Sequence, residues 1–401
     1  MPKKFQQPAV ATLFFLIASS TFAGEPLKIF ILAGQSNMVG HARAHTIATL
    51  LASDNTRDQE LVQSVLGQDS VVSRATLEKQ LERGRKLDEL TGGISNEKVK
   101  AMSDGPEKTA LEAKVKDLKA AHEAYKEKVT SACVDSDRVY ISSIADGNKR
   151  AGKLGIGYGG STEKIGPEYG FGLSLAQKID GPILLIKTSW GGKSLHYNFR
   201  PPSAGTYELN KKEQTSDKAD EISKNAGSNY RMMNEAIQKV LANLKEHHPE
   251  YDPKTGYEID GFVWFQGFND QFAPEFRDNY KDNMVAFVND VREEYKTPNM
   301  PFVIGVLGTG VTAEKVAENK VSLAQREAAE TLGAANNVAA VESYQEYSLY
   351  SNDVFQKGWP EHFHEWDTVG SDRPYHYLGS GAFFVRLGDA FANSMVDLIH
   401  Q

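Results

Sequence analysis

The sequence predicts an α/β fold in which a mostly parallel sheet carries helices on both faces. The first observation is a set of short, continuous apolar runs, which are typical of strands buried on both sides. The second is that amphipathic segments lie between these runs, with apolar residues at helical spacing, as at Met233, Ile237 and Val240. Such alternation of strands and helices is typical of a parallel sheet. The strand candidates are residues 27–32, 183–186, 262–265, 302–307 and 338–341.

The N-terminal residues have the features of a targeting segment. Two lysines precede an apolar run over about residues 9–18, and Thr21 and Ala23 supply the small side chains that a signal peptidase reads. We therefore predict a signal peptide over residues 1–23, cleavage before Gly24, and a secreted or periplasmic protein with no membrane contact after cleavage. A retained membrane anchor is the alternative, but the run is shorter than the roughly 20 apolar residues that span a bilayer.

The charge balance and the cysteine count exclude several classes of function. The formal net charge is −8, whereas a nucleic-acid partner requires a concentrated basic face. Cys133 is the only cysteine of the sequence, so the chain has neither an internal disulfide nor a zinc site built from cysteines. The sequence is 40% hydrophobic, which is enough for a sizeable core.

The first strand candidate is followed directly by the string AGQSNM, residues 33–38. A serine at this junction stands at the carboxyl edge of the sheet, where α/β folds bind their ligands. Gly34 allows the backbone to turn sharply. Ser36 would then project into a cleft, where its hydroxyl becomes a nucleophile once a base removes the proton. The alternative is a serine that caps the next helix.

A charged segment of about residues 45–135 interrupts the alternation of strands and helices. It is rich in Lys, Glu and Asp, and its apolar positions step by four and three, which is typical of a helix with one apolar seam. We expect a helical insertion, in the form of a hairpin on the rim of the main domain. It is either a structural support or an arm that gates substrate or binds a partner. The seam consists of Leu111, Val115, Leu118, His122, Tyr125 and Val129.

Three later strings also carry polar groups next to strand candidates or turns. In KTSWGGKS, residues 187–194, paired glycines leave backbone N–H groups free, as an oxyanion hole requires, although a tight turn has the same composition. WFQGFND, residues 264–270, adds the side-chain amides of Gln266 and Asn269. DRPYHYLG, residues 372–379, contains a histidine and an aspartate, the base and the orienting carboxylate that a serine nucleophile needs.

Together, these four strings resemble the sequence blocks of the SGNH hydrolases, in the branch of sialate O-acetylesterase-like and carbohydrate acetylesterase domains. The resemblance covers roughly residues 26–42 and 150–400. It implies a flavodoxin-like three-layer α/β/α sandwich over residues 24–401, interrupted by the helical insertion. It also implies an esterase that removes acyl groups, above all acetyl, from sialate, xylan or another glycan. Such an enzyme uses a Ser–His(–Asp) mechanism in which the serine carries the acyl group, and it needs neither cofactor nor metal.

The resemblance also assigns roles to individual residues. Ser36 is the expected nucleophile, His376 the base and Asp372 the carboxylate that orients it. The oxyanion hole is expected to comprise the N–H groups of Ser36 and Gly191, or of Gly192 in its place, and the amide of Asn269 or Gln266. The expected contacts to the substrate are Gln35, Trp190, Lys193 and Tyr377.

The sequence departs from the family pattern at two points. Phe268 stands where this branch usually has a glutamate, which affects the substrate pocket. Asp372 precedes His376 by four residues, whereas the family spacing is three, so Asp367 or Glu365 could orient the histidine instead.

Two other classes of function compete with the esterase. These departures leave room for a glycan-binding protein without catalysis, because a fold does not determine a function. His362 and His364 alternate along the chain and could hold a metal in a metal-dependent hydrolase.

Overall fold

A seven-stranded sheet forms the centre of the computed structural model, which describes residues 24–333 and 336–401. Its strand order is β4-β3-β6-β1-β7-β8-β9, and all neighbours are parallel except β4, which pairs antiparallel with β3. β2 and β5 form a separate antiparallel pair. The strands are β1 (Leu27–Gly34), β2 (Ala42–Arg43), β3 (Val139–Ala145), β4 (Asn148–Lys153), β5 (Lys164–Ile165), β6 (Ile183–Ser189), β7 (Tyr257–Phe265), β8 (Phe302–Val306) and β9 (Val338–Glu342). The predicted fold class, a mostly parallel sheet within an α/β/α sandwich, is confirmed.

Helices cover both faces of this sheet and connect its strands. The α-helices are α1 (Ser36–Val39), α2 (Thr56–Leu66), α3 (Arg74–Thr91), α4 (Glu97–Lys100), α5 (Pro106–Ala132), α6 (Pro167–Lys178), α7 (Lys211–Gln214), α8 (Ala219–Asn225), α9 (Ser228–Leu241), α10 (Leu244–His247), α11 (Pro274–Asp278), α12 (Tyr280–Glu294), α13 (Ala313–Glu318), α14 (Lys320–Leu332), α15 (Leu349–Gln356), α16 (Phe363–Val369) and α17 (Gly381–Ile399). Short 3-10 helices lie at Ala44–Ala52, Gly93–Ser95, Pro202–Ala204, Phe268–Phe272, Ser343–Glu346 and Pro374–Gly379.

The central strand β1 shows how the sheet separates two apolar cores. Phe30 and Leu32 point into the core that contains α6 and α17, whereas Ile29 and Ile31 point into the core that contains α9, α12 and α14. Successive side chains of a strand alternate between its two faces. A continuous apolar run therefore supplies both cores at once, and each buried side chain of this size contributes about 2 kcal/mol.

The segment between β2 and β3 is helical over most of its length. It contains a 3-10 helix and α2 to α5, and α3 packs against both α5 and α16. The approach of α3 to α16 is close, because a Cβ at Gly84 would lie 2.7 Å from the backbone oxygen of His364. α5 begins with Pro106 in its first turn, a position where the missing N–H of proline has no cost.

The predicted signal peptide, residues 1–23, lies outside the described residues and stays a prediction. Among the described residues, no helix has both the length and the apolar character needed to cross a bilayer. Cys133 ends α5 in a half-buried position, where burial raises the pKa of its thiol to about 12. A thiol in this state is a poor nucleophile at neutral pH.

Candidate active site

Ser36 lies directly beyond the carboxyl end of β1, as the first residue of the short helix α1. The turn before it requires a glycine, because a Cβ at Gly34 would overlap the backbone oxygen of Phe265. The N–H groups of a first helical turn have no partner inside the helix. Accordingly, the N–H of Ser36 donates to no group in the described chain and remains available to a ligand.

A buried ion pair beneath α1 holds this helix in place. Lys187 on β6 donates hydrogen bonds to the carboxylate of Glu168, at 2.6 Å, and to the backbone oxygens of Val39 and Tyr158, each at 2.9 Å. Both charged side chains are fully buried. All three ammonium protons have acceptors, which is the condition under which a buried charge is tolerated. The last residue of α1 is thereby tied to the neighbouring strand.

Gln35 joins the serine motif to the segment after β7. Its side-chain oxygen accepts hydrogen bonds from the backbone N–H groups of Gly267 and Asn269, each at 3.2 Å, and from Nε2 of Gln266 at 3.1 Å. Its own amide nitrogen lies 3.5 Å from Oγ of Ser36. The prediction that Gln35 contacts substrate is corrected, since this buried side chain holds two loops together instead.

His376 and Asp372 lie together on a strained turn. Nδ1 of His376 is 3.2 Å from Oδ1 of Asp372. The turn is closed by Tyr377 and Leu378, whose φ angles of 50° and 64° are unusual for residues other than glycine. The N–H groups of Ser371 and Asp372 donate back to the oxygen of Leu378. This reversal brings the carboxylate to the imidazole across the four-residue spacing.

The electrostatic surroundings keep Asp372 ionised. Burial raises the pKa of this carboxyl, but its contact with His376 and a hydrogen bond of 2.7 Å from the N–H of Arg373 outweigh burial. The pKa of Asp372 is therefore lowered from its usual value. An ionised carboxylate beside Nδ1 stabilises the protonated imidazole that forms when a histidine acts as a base.

The two other carboxylates that could have oriented His376 have different partners. Asp367 contacts Nζ of Lys126 at 2.9 Å and Nε2 of His122 at 3.1 Å. Glu365 is bound by Lys357 at 2.9 Å and Arg85 at 3.2 Å. Of the three candidate carboxylates, Asp372 is the one in contact with His376.

His41 is a member of this cluster that the sequence analysis missed. Its ring stacks on that of His376 with 4.2 Å between centroids and 10° between planes, and its Nδ1 lies 3.9 Å from Oδ2 of Asp372. Burial, followed by the charges of His376 and Lys164, lowers the pKa of His41 to about 4. His41 is therefore neutral at physiological pH. The one signal in the sequence is its position five residues after Ser36.

The serine and histidine segments meet through a hydrogen bond between their neighbours. Nδ2 of Asn37 donates to the backbone oxygen of Tyr375 at 3.2 Å. Among the described residues, the hydroxyl of Ser36 has Gln35 as its side-chain neighbour, and no hydrogen bond joins Ser36 to His376. Catalytic hydrogen bonds are often long before substrate binds and tighten in the complex.

The glycine loop after β6 provides a different donor from the one predicted. The N–H of Gly191 donates to Oδ1 of Asp146 at 2.5 Å, so the first choice, Gly191, is corrected. The N–H of Gly192 donates to no group in the described ranges. Nδ2 of Asn269 donates to the oxygen of Gly192 at 2.7 Å, and its second proton is not engaged. Gly192 and Asn269 thus each keep a free donor, and Asn269 links the two loops, because its N–H donates to Gln35 and its side chain to Gly192.

Gln266 is corrected as an oxyanion donor because its amide is already occupied. Nε2 lies 2.9 Å from the oxygen of Lys193, 3.1 Å from Oε1 of Gln35 and 2.5 Å from Oδ2 of Asp270. An amide nitrogen has two protons, so none remains for a ligand.

Asp270, which belongs to the same motif, fixes the glycine loop from below. Its carboxylate accepts hydrogen bonds from the N–H groups of Leu195, at 2.9 Å, and His196, at 3.0 Å. Complete burial raises the pKa of Asp270 to about 6, although these hydrogen bonds act to lower it. Asp270 therefore links the segment after β7 to the loop that carries Gly192.

Two of the predicted substrate contacts are core residues. Trp190 is 7% exposed and packs against Phe199. Tyr377 is 1% exposed, and its hydroxyl accepts a hydrogen bond from the N–H of Gly308 at 2.9 Å. Neither prediction finds support here, because the packing leaves little of Trp190 and almost nothing of Tyr377 open to a ligand. Lys193 is half-buried beside Gly192 and remains a candidate contact.

The histidines proposed for a metal site do not converge. Nδ1 of His364 lies 2.8 Å from Asp88, whereas Nδ1 of His362 lies 3.9 Å from Glu365. Among the described residues, two groups place three ligand atoms within 4.8 Å of one another, and neither includes these two histidines. The groups are His41, Asp372 and His376, and His122, Glu123 and Asp367.

Comparisons with known proteins add family information to this geometry. The model of the family "carbohydrate esterase, sialic acid-specific acetylesterase" matches residues 118–352, more than half of the chain, and this range contains neither Ser36 nor His376. A solved Arabidopsis thaliana protein is similar over 93% of this chain and 98% of its own, with 15% identity and a TM-score of 0.43. A carbohydrate acetylesterase from Xanthomonas citri is similar over 78% of this chain and 49% of its own, with 12% identity and a TM-score of 0.37. None of the curated proteins matches this chain.

Proposed function

The chain belongs to the carbohydrate esterase family of sialic acid-specific acetylesterases, and on this premise we propose that it hydrolyses O-acetyl esters of sugars with Ser36 as nucleophile. The observation that carries the proposal is the meeting of two segments at the carboxyl edge of the sheet. One holds Ser36 with its free N–H, and the other holds the His376–Asp372 pair. These are the parts of a serine esterase: nucleophile, base and orienting carboxylate.

In the proposed reaction, each of these groups has one role. His376 removes the proton of Ser36 as Oγ attacks the acetyl carbonyl, and Asp372 stabilises the imidazolium. The negative charge on the former carbonyl oxygen is held by the N–H groups of Ser36 and Gly192 and by the amide of Asn269. Each such donor typically contributes about 3 kcal/mol to the transition state.

His376 then completes the first half of the reaction by returning its proton to the oxygen of the departing sugar. This leaves acetyl bound to Oγ of Ser36. Water repeats the attack with the same base and releases acetate. The proposed cycle uses side chains, backbone N–H groups and water, and it needs no cofactor. The expected partner is an acylated carbohydrate, met outside the cytoplasm if residues 1–23 act as a signal peptide.

His41 supports His376 during these steps. A neutral ring stacked on His376 limits rotation of the imidazole without placing a second positive charge beside it. Its contact with Oδ2 of Asp372 leaves Oδ1 facing Nδ1 of His376. His41 is thus a positioning residue for the base.

The test is ester hydrolysis by the mature protein, residues 24–401. 4-Nitrophenyl acetate, O-acetylated sialic acid and acetylated xylo-oligosaccharides are offered to the wild type, to Ser36→Ala and to Ser95→Ala, which changes an exposed serine of the helical insertion. We expect acetate release by the wild type and by Ser95→Ala, and a loss of about a thousandfold or more in Ser36→Ala.

Three other outcomes would contradict the proposal in different ways. Equal activity of Ser36→Ala and the wild type would exclude Ser36 as nucleophile. Inert but folded proteins that still bind glycans would support the binding-protein alternative. Loss of activity in EDTA, with recovery on adding zinc, would favour a metal held by His41, Asp372 and His376.

A further inference from the structure

Three aromatic rings form a continuous surface beside His376, here called the aromatic ledge: Phe268, Phe272 and Tyr375. The rings of Phe268 and Phe272 meet edge to face at 5.3 Å between centroids, and Phe268 lies 5.9 Å from Tyr375. Tyr375 in turn lies 4.5 Å from the ring of His376. The ledge therefore begins at the catalytic base and runs outward from it.

Much of the ledge is open to solvent. Phe272 is 67% exposed and Tyr375 is 44% exposed, whereas most large aromatic side chains of the described residues are buried. An exposed phenylalanine gains nothing for the fold, but it offers apolar area to a ligand. The surface thus has the exposure expected of a binding platform.

The backbone that carries the ledge is held from several sides. The N–H of Asn269 donates to Gln35 at 3.2 Å, and Arg277 donates to the oxygen of Gln271 at 2.7 Å. On the other side, Asn37 donates to the oxygen of Tyr375. The rings are therefore placed before substrate arrives, which reduces the entropy lost on binding.

We propose that the aromatic ledge binds the sugar ring that carries the ester. This proposal rests on the proposed function, because it takes its direction from the mechanism. His376 must reach the oxygen of the departing sugar to protonate it, so the sugar lies on the side of His376, where the ledge begins. The acetyl group lies on the other side, between Ser36 and the free N–H groups.

The chemistry of the ledge matches a pyranose. One face of such a ring exposes C–H groups, which pack on the negative face of an aromatic ring, while the hydroxyl groups point outward to polar partners. The half-buried Lys193 lies on a loop next to the segment that carries the ledge and can contact these hydroxyls. Phe268 also replaces the glutamate that the family pattern places here, which exchanges a charge for apolar surface.

The experiment compares Phe272→Ala with Tyr257→Ala. Tyr257 is 41% exposed, but it begins β7 at the opposite end of the sheet. For each variant, kcat/KM is measured on the acetylated sugar that the wild type cleaves best and on ethyl acetate, which has no ring. We expect the ratio of the two values to fall about five- to tenfold in Phe272→Ala, through KM, and to stay constant in Tyr257→Ala.

Two results would overturn the sugar assignment. One is an unchanged ratio in Phe272→Ala. The other is a selective loss on butanoate relative to acetate esters, which would place the acyl chain on the ledge.

Titration calorimetry separates this proposal from the esterase proposal. Free xylotetraose and N-acetylneuraminic acid are titrated into the wild type and Phe272→Ala. If no ester is hydrolysed but one of these sugars binds and Phe272→Ala weakens its binding, the esterase proposal fails and the ledge is kept only as a sugar-binding surface. If esters are hydrolysed and binding is the same in both proteins, or neither sugar binds and no acetylated sugar is cleaved, the ledge proposal fails.

Discussion

Two clusters in this molecule contain the same residue types, two histidines around one aspartate, but differ in what completes them. In the candidate active site, His41 and His376 share Asp372, and all three side chains are partly exposed. Between the helical insertion and α16, Nε2 of His122 contacts the carboxylate of Asp367, and Nε2 of His45 lies 2.6 Å from the backbone oxygen of Asp367. This second cluster is buried, and we call it the insertion cluster.

A permanent cation distinguishes the two. In the insertion cluster, Lys126 lies 2.9 Å from Asp367. Burial raises the pKa of Asp367, but His122, His45 and Lys126 together lower it far below its usual range. The charge of Asp367 is therefore balanced without a protonated histidine. Among the described residues, no lysine or arginine side chain lies within ion-pair distance of Asp372, and its side-chain partners are His376 and His41. The comparison is consistent with a structural role for one cluster and with the proposed catalytic role for the other.

The largest expected effect is that of Asp372→Asn on catalysis. An amide leaves the shape of the side chain but no longer stabilises the imidazolium of His376, so kcat should fall about a thousandfold or more. Steady-state kinetics on 4-nitrophenyl acetate measure this, and urea unfolding checks that the fold is kept. A loss smaller than about tenfold would remove Asp372 from the mechanism.

Asp367→Asn should have the opposite profile. It leaves the buried His122 without its carboxylate and the half-buried Lys126 with the exposed Glu123 as its remaining partner. Breaking a buried ion pair typically costs about 3 kcal/mol or more. We expect the free energy of unfolding in urea to fall by about this amount, while kcat of the folded protein stays within about twofold. If kcat dropped with stability unchanged, the two clusters would not differ as described.

The third prediction concerns His41, with a smaller effect. His41→Ala removes the ring that holds His376, and kcat should fall about tenfold, or about 1.4 kcal/mol. His41→Phe keeps a flat ring and should retain most of the activity. Equal losses in the two variants would show that the stacking itself does not matter.

The fourth prediction concerns how the stability of the protein depends on pH through His41. Its pKa is about 4 in the folded protein and near 6.5 when unperturbed, so the unfolded chain binds more protons between these values. Its contribution to stability is therefore lost as the pH falls from about 6.5 to about 4. His41→Phe has no titrating group at this position and should not lose stability in this way. The free energy of unfolding in urea, measured at pH 6.5 and pH 4, should therefore fall further in the wild type than in His41→Phe.

Local sequence was sufficient to predict most strands around the candidate site and the loops that meet there. Apolar runs predicted the strands β1, β6, β7, β8 and β9, and serine, glycine and amide motifs at their ends predicted which loops would meet. β3 was not predicted, since the adjacent Ser142 and Ser143 interrupt its apolar residues. The ends of parallel strands lie at one edge of a sheet, so motifs there converge whatever their separation in sequence.

The sequence by itself determined the α/β architecture, the family and the position of Ser36, because periodicity and short motifs are local properties. Only the tertiary structure decided which groups are free to act. Gly192 and not Gly191 has an open N–H, Gln266 is fully occupied, Trp190 and Tyr377 are buried, and His41 lies on His376. These outcomes depend on partners far away in the chain, because a hydrogen-bonding group can be used only once and burial is set by the packing of every element around it.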